Sequence, residues 1–333
     1  MLRRLPVYVL LDCSESMIGP GIEGLRTAVD AMLRELRRNP QALETVWMSF
    51  ISFAGTARQI VPLAALEEIQ PPTLSIAPGT ALGAALGLAA RSIRSDVHKS
   101  TSAQKGDFRP LVFIITDGEA TDDWKPGASE LAATKASVYA IGCGQDVNFH
   151  QLGKITENVL RVDQVEAESM ARLLKWVSGS VQAASRAIAE VGEESLTESL
   201  PSDLKKVDLS KTPKHEGRAR QVFIQMRCQQ QRAPYLVRYA LRADGRAYEA
   251  RTSHRLEGET VEGSSDFALP AVAANLLQGT AACPYCEATG WWQCGCGALA
   301  CVRIPWTGSV TCPKCGKSGQ LTEGNFEVQQ RAG

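Results

Sequence analysis

The stretch VYVLLDCSESM, residues 7–17, decides the fold. Its first five residues have strand character and run straight into Asp12, Ser14 and Ser16. A continuous apolar run of this length is the pattern of a strand buried on both faces of a parallel sheet. The three polar residues alternate, so a loop leaving the carboxyl end of that strand can aim all three side chains at one point. A carboxylate with two hydroxyls is a hard-oxygen set, suited to Mg²⁺, Mn²⁺ or Ca²⁺ rather than zinc. Ser14 and Ser16 are equally good helix caps, so other parts of the chain must discriminate.

Working outward, Gly19, Gly21 and Gly24 match G-x-G-x-x-G between a strand and a helix. A dinucleotide reading is rejected, because the glycines arrive after the Asp/Ser loop and the second strand ends in Phe53-Ala54-Gly55 with no acid for a ribose. Ile22, Leu25, Val29, Met32, Leu33 and Leu36 recur at helical spacing, and Asn39-Pro40 stops that helix. Residues 46–53 and 59–63 read as strands that can form a hairpin about Gly55. Thr80 opens a second helix as its cap, with Leu82, Ala85, Leu86, Ala89 and Ile93 on one face. Residues 111–116, LVFIIT, form another buried-type strand ending in Asp117-Gly118, and Asp122 and Asp123 read as solvated loop acids rather than ligands. A helix at 130–135, a strand at 137–142, a helical piece at 149–155, a strand at 159–162 and an amphipathic helix through Met170, Leu173, Leu174, Val177 and Val181 complete the pattern. Alternation of this kind predicts an α/β fold with a doubly wound, mostly parallel, Rossmann-like sheet.

Asp12-x-Ser14-x-Ser16 after the first strand, Thr80 before a helix and Asp117-Gly118 after an apolar strand resemble the metal-ion-dependent adhesion site of von Willebrand factor A (vWA) domains. The resemblance spans residues 1–183. It implies that Asp12, Ser14, Ser16 and Thr80 bind Mg²⁺ (or Mn²⁺ or Ca²⁺) directly or through water, and that Asp117 acts through water. It also implies one open coordination position that takes an Asp or Glu from a protein partner. A carboxylate held off by water leaves the ion enough positive charge for that role.

The whole chain of 333 residues has no net charge, yet residues 205–255 carry thirteen Lys/Arg against four Asp/Glu. That excess suggests an acidic partner or contact between two parts of the chain. Residues 184–216, charged and Ser-rich with Pro201 and Pro213, read as a linker that is helical at its start. Residues 217–333 read as a small β-rich, zinc-ribbon-like domain. Its strands fall at 221–228, 235–241 and 246–252, the last two joined through Asp244-Gly245, and a short helix is expected at 269–277. Its arginines read as a solvated strand face, since a nucleic-acid platform would need more interleaved aromatics. The apolar run at the N-terminus is too short for a signal peptide and none of the chain matches a membrane span, so a soluble, cytoplasmic protein is expected.

Seven of ten cysteines crowd into residues 283–315, which reads as metal ligation in a reducing compartment. The C-P-x-C turns Cys283-Pro284-Tyr285-Cys286 and Cys312-Pro313-Lys314-Cys315 together supply a tetrahedral Cys₄ zinc site within a module at 280–318. Cys294 and Cys296 are the substitutes, or part of a second site completed by a carboxylate. Cys301 reads as plain core, as do Cys13, Cys143 and Cys228. This tail has so few apolar residues that the ion should contribute its folding energy.

A vWA domain followed by a β segment and these CPYC, CGCG and CPKC motifs resembles the TerY-like proteins of bacterial tellurite-resistance and chemical-stress gene clusters. The resemblance implies a cytoplasmic adaptor working with a PP2C-type phosphatase and a protein kinase. The residues agree with a non-enzymatic role: there is no nucleophile elbow, no H-E-x-x-H and no P-loop, and one ion without a placed base is poor catalytic equipment. The competing functions are a metal-dependent phosphohydrolase built on Asp12 and Asp117, and a nucleic-acid-binding zinc ribbon.

Overall fold

The computed structural model describes residues 3–101, 105–144, 147–163, 167–190, 204–210, 219–242, 244–256, 271–322 and 324–330. The chain divides into two compact units, Met1–Glu216 and Gly217–Gly333.

The first unit is built around β1 (Leu5–Asp12), whose eight residues are all buried. Then follow α1 (Pro20–Arg37), α2 (Pro40–Thr45), β2 (Val46–Phe53), β3 (Ala57–Ala65), α3 (Leu82–Asp96), β4 (Leu111–Thr116), α4 (Trp124–Ala132), β5 (Ser137–Cys143), α5 (Phe149–Gly153), β6 (Val159–Val162), α6 (Ala167–Glu190) and β7 (Leu204–Lys206). The sheet order is β3-β2-β1-β4-β5-β6-β7. β1 pairs in parallel with both β2 and β4, while the outer strands β3 and β7 run antiparallel to their neighbours.

Side-chain alternation along the strands feeds two cores. Val7, Val9 and Leu11 of β1 with Phe113 and Ile115 of β4 pack on α1 and α6, through Leu25, Val29, Leu33, Met170, Leu174 and Val177. Tyr8 and Leu10 with Val112 and Ile114 pack on α3 and α5, through Leu82, Leu86, Ala89, Phe149 and Leu152. Each fully buried aliphatic side chain contributes roughly 1.5–3 kcal/mol of transfer free energy, so this sheet is held by its own apolar burial. Connections from β1 leave in one direction along the sheet and those from β4 in the other. The carboxyl ends of β1 and β4 are therefore the switch point of the winding, where such folds form a crevice.

Three sequence expectations shift. The helix expected at 130–135 begins earlier, at Trp124, because Asp123 accepts from the Lys125 amide at its N-terminus. Ala81, not Thr80, is the N-cap of α3 and makes no side-chain cap. The stretch read as linker, 184–216, is part of the first unit where it is described: α6 continues to Glu190, and β7 adds to the sheet edge through Leu204 opposite Val162. An edge strand of this kind needs only one inward apolar residue and carries charge outward, so it leaves little trace in the pattern. Residues 191–203 and 211–218 lie outside the described residues.

The second unit contains β8 (Gln221–Arg227), β9 (Pro234–Leu241), β10 (Tyr248–Arg255), β11 (Val272–Ala273), β12 (Leu277–Gln278), β13 (Gly290–Gln293), β14 (Leu299–Val302), β15 (Ser309–Thr311), β16 (Ser318–Gln320) and β17 (Glu327–Val328). Six strands form one sheet, β12-β10-β9-β8-β14-β13; β11 pairs with β17, and β15 with β16. The core is small, and Val222, Ile224, Tyr235, Val237 and Tyr239 share it with Cys228, Cys283, Cys286 and Cys301. In place of the helix expected at 269–277, the described residues form two two-residue strands around a single 3₁₀ turn, Ala274–Leu276. Among the described residues, no helix is long and apolar enough to cross a membrane.

Candidate metal centres

The structure brings together all five oxygen-bearing residues singled out in the first unit. Asp12 ends β1 and is fully buried; its Oδ1 accepts from the Ser14 amide at 2.9 Å. Ser14 Oγ and Ser16 Oγ are hydrogen-bonded at 2.7 Å, and Ser16 Oγ donates to Asp117 Oδ1 at 2.5 Å. Thr80 enters from the loop before α3. A methyl group placed on Gly118 would meet Thr80 Oγ1 at 3.4 Å, Ser16 Oγ at 3.7 Å and Asp12 Oδ2 at 3.9 Å. Gly118 thus leaves open the space on which these oxygens converge. Ser16 and Gly118 are half-buried, whereas Asp12, Ser14, Thr80 and Asp117 are buried, so access runs past Ser16 and Gly118.

Residues outside the motif hold it in shape. Thr116 Oγ1 donates to Asp12 Oδ2 at 2.5 Å, orienting the carboxylate from the neighbouring strand. The Thr80 amide donates to Thr121 Oγ1, and the Thr121 amide donates back to the Thr80 carbonyl, both at 2.9 Å. Glu15, nine-tenths buried, accepts the Gly79 amide on its Oε2 at 2.6 Å and so fixes the turn that delivers Thr80. Gly79 has φ +82°, the left-handed region, which is why glycine occupies that turn. Asp122 is not a solvated acid: its Oδ1 and Oδ2 accept the Gly83 and Ala84 amides at 2.9 Å each, so the side chain supplies the cap that Ala81 does not. A threonine closing an apolar strand just before an acid was the available signal for Thr116; Thr121, Glu15 and Asp122 carry no spacing signal.

The donor set fits a hard divalent cation. Burial pushes the Asp12 carboxyl up, against hydrogen bonds from Ser14 and Thr116, and burial brings Glu15 up to about 7 despite its amide partners. Carboxylates buried this deeply are stable as anions only with a compensating charge, and a divalent ion at the converging oxygens would supply it.

In the second unit the pairing of cysteines differs from expectation. Cys283, Cys286, Cys312 and Cys315 do not form one site. Cys283 and Cys286 converge with Cys228 and Cys301, while Cys312 and Cys315 converge with Cys294 and Cys296. Within each set all sulfurs lie within 4.8 Å of one another. Cys286 and Cys301 are 3.6 Å apart, and the pairs Cys294–Cys315 and Cys296–Cys312 are each 3.7 Å apart. Four sulfurs bound tetrahedrally at about 2.3 Å from one ion sit roughly 3.8 Å from each other, so both sets fit a Cys₄ ion without a carboxylate. Cys228 and Cys301 are therefore ligand candidates, not plain core. Both were missed because the cluster is assembled by long-range pairing: Cys228 follows β8 and Cys301 lies on β14, and these strands lie side by side with Arg227 opposite Ala300. Cys13 and Cys143 are buried in the first unit, as expected.

Each cluster includes a thiol turned toward its anion. Burial pushes the Cys312 thiol up, but the Cys315 and Lys314 amides and neighbouring thiols bring it down to about 7. Burial likewise opposes ionisation of Cys228, and the Gln231 and Gln230 amides together with the Cys286 and Cys283 thiols outweigh it. Thiolates are the metal-binding form. Some arginines of the basic segment act as struts: Arg255 donates from Nε and Nη2 to the Pro284 carbonyl at 3.1 and 2.9 Å, and its guanidinium lies 4.9 Å from the Tyr285 ring centre.

Comparison with known proteins places these sites in context. The family model for the von Willebrand factor type A domain matches residues 7–172, and that for the TerY-C metal binding domain matches residues 219–333, a span containing all eight clustered cysteines. Cuticlin-6 of Caenorhabditis elegans is 33% identical over 91 residues, which are 26% of this chain and only 16% of that protein. Proximal thread matrix protein 1 from the mussel byssus, in a structure with a zinc-occupied MIDAS motif, is similar at 19% identity and TM-score 0.39, covering 55% of this chain and 46% of that one. The ArnB paralog VWA2 from Sulfolobus acidocaldarius is similar at 14% identity and TM-score 0.40, covering 54% and 45%. This chain thus spans less than half the length of each of these three proteins.

Proposed function

Because this chain belongs to the proteins that join a von Willebrand factor type A domain to a TerY-C metal binding domain, we propose that it is a non-enzymatic, metal-dependent adaptor. Asp12, Ser14, Ser16, Thr80 and Asp117 would hold Mg²⁺, as in a metal-ion-dependent adhesion site, and an Asp or Glu of a partner protein would complete the coordination. The bound ion supplies a positive charge at the surface of an otherwise acidic crevice, which is what recruits the partner's carboxylate. The observation that carries the reading is the convergence of Asp12, Ser16 and Thr80 on the open space beside Gly118. The second unit would hold zinc in its two thiolate sets, for structure. From the TerY-like resemblance, the partners are a PP2C-type phosphatase and a protein kinase of a cytoplasmic, tellurite-resistance-like stress system.

The test is retention of that phosphatase and kinase from the host lysate on the immobilised chain in Mg²⁺ buffer. Wild type should retain at least one of them and Asp12→Ala neither. Equal retention by the two forms would overturn the adhesion mechanism.

A further inference from the structure

The two thiolate sets are chemically alike and physically unlike. Cys228, Cys283, Cys286 and Cys301 are all buried, at 0%, 1%, 8% and 0% exposure, inside the apolar core of the second unit. Their ion would be enclosed by that core, reachable only by opening the sheet. In the other set, Cys296 and Cys315 are exposed and Cys294 is half-buried. That set joins a turn after β13, closed by the Gly297 amide on the Cys294 carbonyl at 2.8 Å, to the Cys312–Gly316 turn beside the β15–β16 hairpin. A three-residue pair of strands with mostly exposed side chains is not stable alone. The ion at this set would be the tether of that hairpin, yet two of its four cysteines are exposed residues.

One residue touches both surroundings. The Gln229 amide donates to Cys301 Sγ at 3.2 Å, in the buried set. Its side-chain Nε2 donates to the carbonyl of Thr311 at 2.6 Å, next to Cys312, and its Oε1 accepts from Trp292 Nε1 at 3.3 Å, two residues before Cys294. Gln229 is therefore an outer partner of one set through its backbone and a brace between the two arms of the other through its amide.

We propose that the two sets have different duties: Cys228, Cys283, Cys286 and Cys301 hold a permanent structural ion, whereas Cys294, Cys296, Cys312 and Cys315 form an exchangeable site for a soft divalent cation, steadied by Gln229. Ligand exchange at a zinc–thiolate centre needs an incoming donor to reach the ion or a sulfur, and solvent access therefore sets its rate. The exposed set meets that condition and the buried set does not. Outer partners of this type change metal affinity by about 10–100-fold when removed, so Gln229→Ala should loosen the exposed ion alone.

The inference rests on the proposal that the second unit binds zinc, and the test separates the two. The full chain is purified, its zinc content measured by atomic absorption, and zinc release into excess 4-(2-pyridylazo)resorcinol followed in time. Two ions per chain leaving in two well-separated phases, with the fast phase lost and the slow phase kept in Cys296→Ser/Cys315→Ser, is the expected result. In Gln229→Ala the fast phase should speed up about tenfold while the slow phase is unchanged. Two ions released in one phase, or a fast phase that survives the double substitution, would overturn the division of duties while leaving zinc binding intact. An unchanged fast phase in Gln229→Ala would remove the bracing role. A chain containing no zinc would overturn both proposals.

Discussion

The two units solve opposite problems with their candidate metal sites. In the first, five oxygen-bearing residues sit at the rim of a sheet whose strands are already buried on both faces by α1, α6, α3 and α5. The fold places the candidate ligands, and the proposed ion would be added to a finished scaffold. In the second, four sulfurs occupy the middle of a small core, beside Tyr235 and Val237, and take the place that apolar side chains would otherwise fill. There the proposed ion would be part of the scaffold. The difference follows from size: a large core can afford polar groups at its edge, whereas a thin one needs a cross-link at its centre.

That contrast can be broken most directly at Cys228. Cys228→Ser removes one of four buried ligands, and a structural zinc contributes about 10–16 kcal/mol, comparable to or larger than the stability of an ordinary domain. Calorimetry should show the second unit's transition lost and the first unit's transition kept, with a fall in bound zinc. A cooperative second transition at its original temperature would end the claim that this ion is part of the core.

The first unit should instead lose stability in small parts. Asp107 receives the Arg4 guanidinium at 2.5 Å and the His98 amide at 2.7 Å. Burial pushes its carboxyl up, but Arg4 and the His98 amide hold it below the usual carboxylate value of about 4. A depressed value stabilises the fold above the unfolded-state value and is lost as pH falls through the folded one. Asp107→Asn should therefore cost about 1–2 kcal/mol at pH 7, and denaturant midpoints of variant and wild type should draw together below about pH 4. A gap that stayed constant down to pH 3 would mean that charge is not its cause. Smaller again, Asp122→Ala removes the acceptor of the Gly83 and Ala84 amides and should cost about 1 kcal/mol in urea unfolding, with zinc content unchanged. No loss in that measurement would show that solvent replaces the cap.

Sequence reading named all five oxygen-bearing residues of the first cluster and six of the eight clustered cysteines, but not how the cysteines group, for a physical reason. Asp12, Ser14 and Ser16 are adjacent in the chain, and Thr80 and Asp117 each follow or precede an element with a strong apolar pattern, so the winding rule alone puts them at one edge. Strand β4 reads LVFIIT and is buried at every position, as its pattern demanded. The residues that support the site, Thr116, Thr121 and Glu15, act through single hydrogen bonds between distant loops, and such bonds have no period. In the second unit, spacing identified the C-P-x-C turns as metal-binding but not which turn meets which partner. That is settled by the parallel pairing of β8 with β14, a contact between residues more than seventy positions apart. The count offered a hint: seven cysteines in the tail are one short of two complete sets, and the eighth is Cys228. β7 escaped notice because a three-residue edge strand with two lysines looks like linker.

The central claim is that the oxygen cluster is an ion site on a scaffold that stands without the ion. Calorimetric titration of the full zinc-loaded chain with Mg²⁺ tests it without a chelator that would also strip zinc. The account predicts saturable binding of one Mg²⁺ by wild type, none by Asp12→Ala, and an unchanged far-UV spectrum in the variant; equal binding heats in the two forms would contradict it.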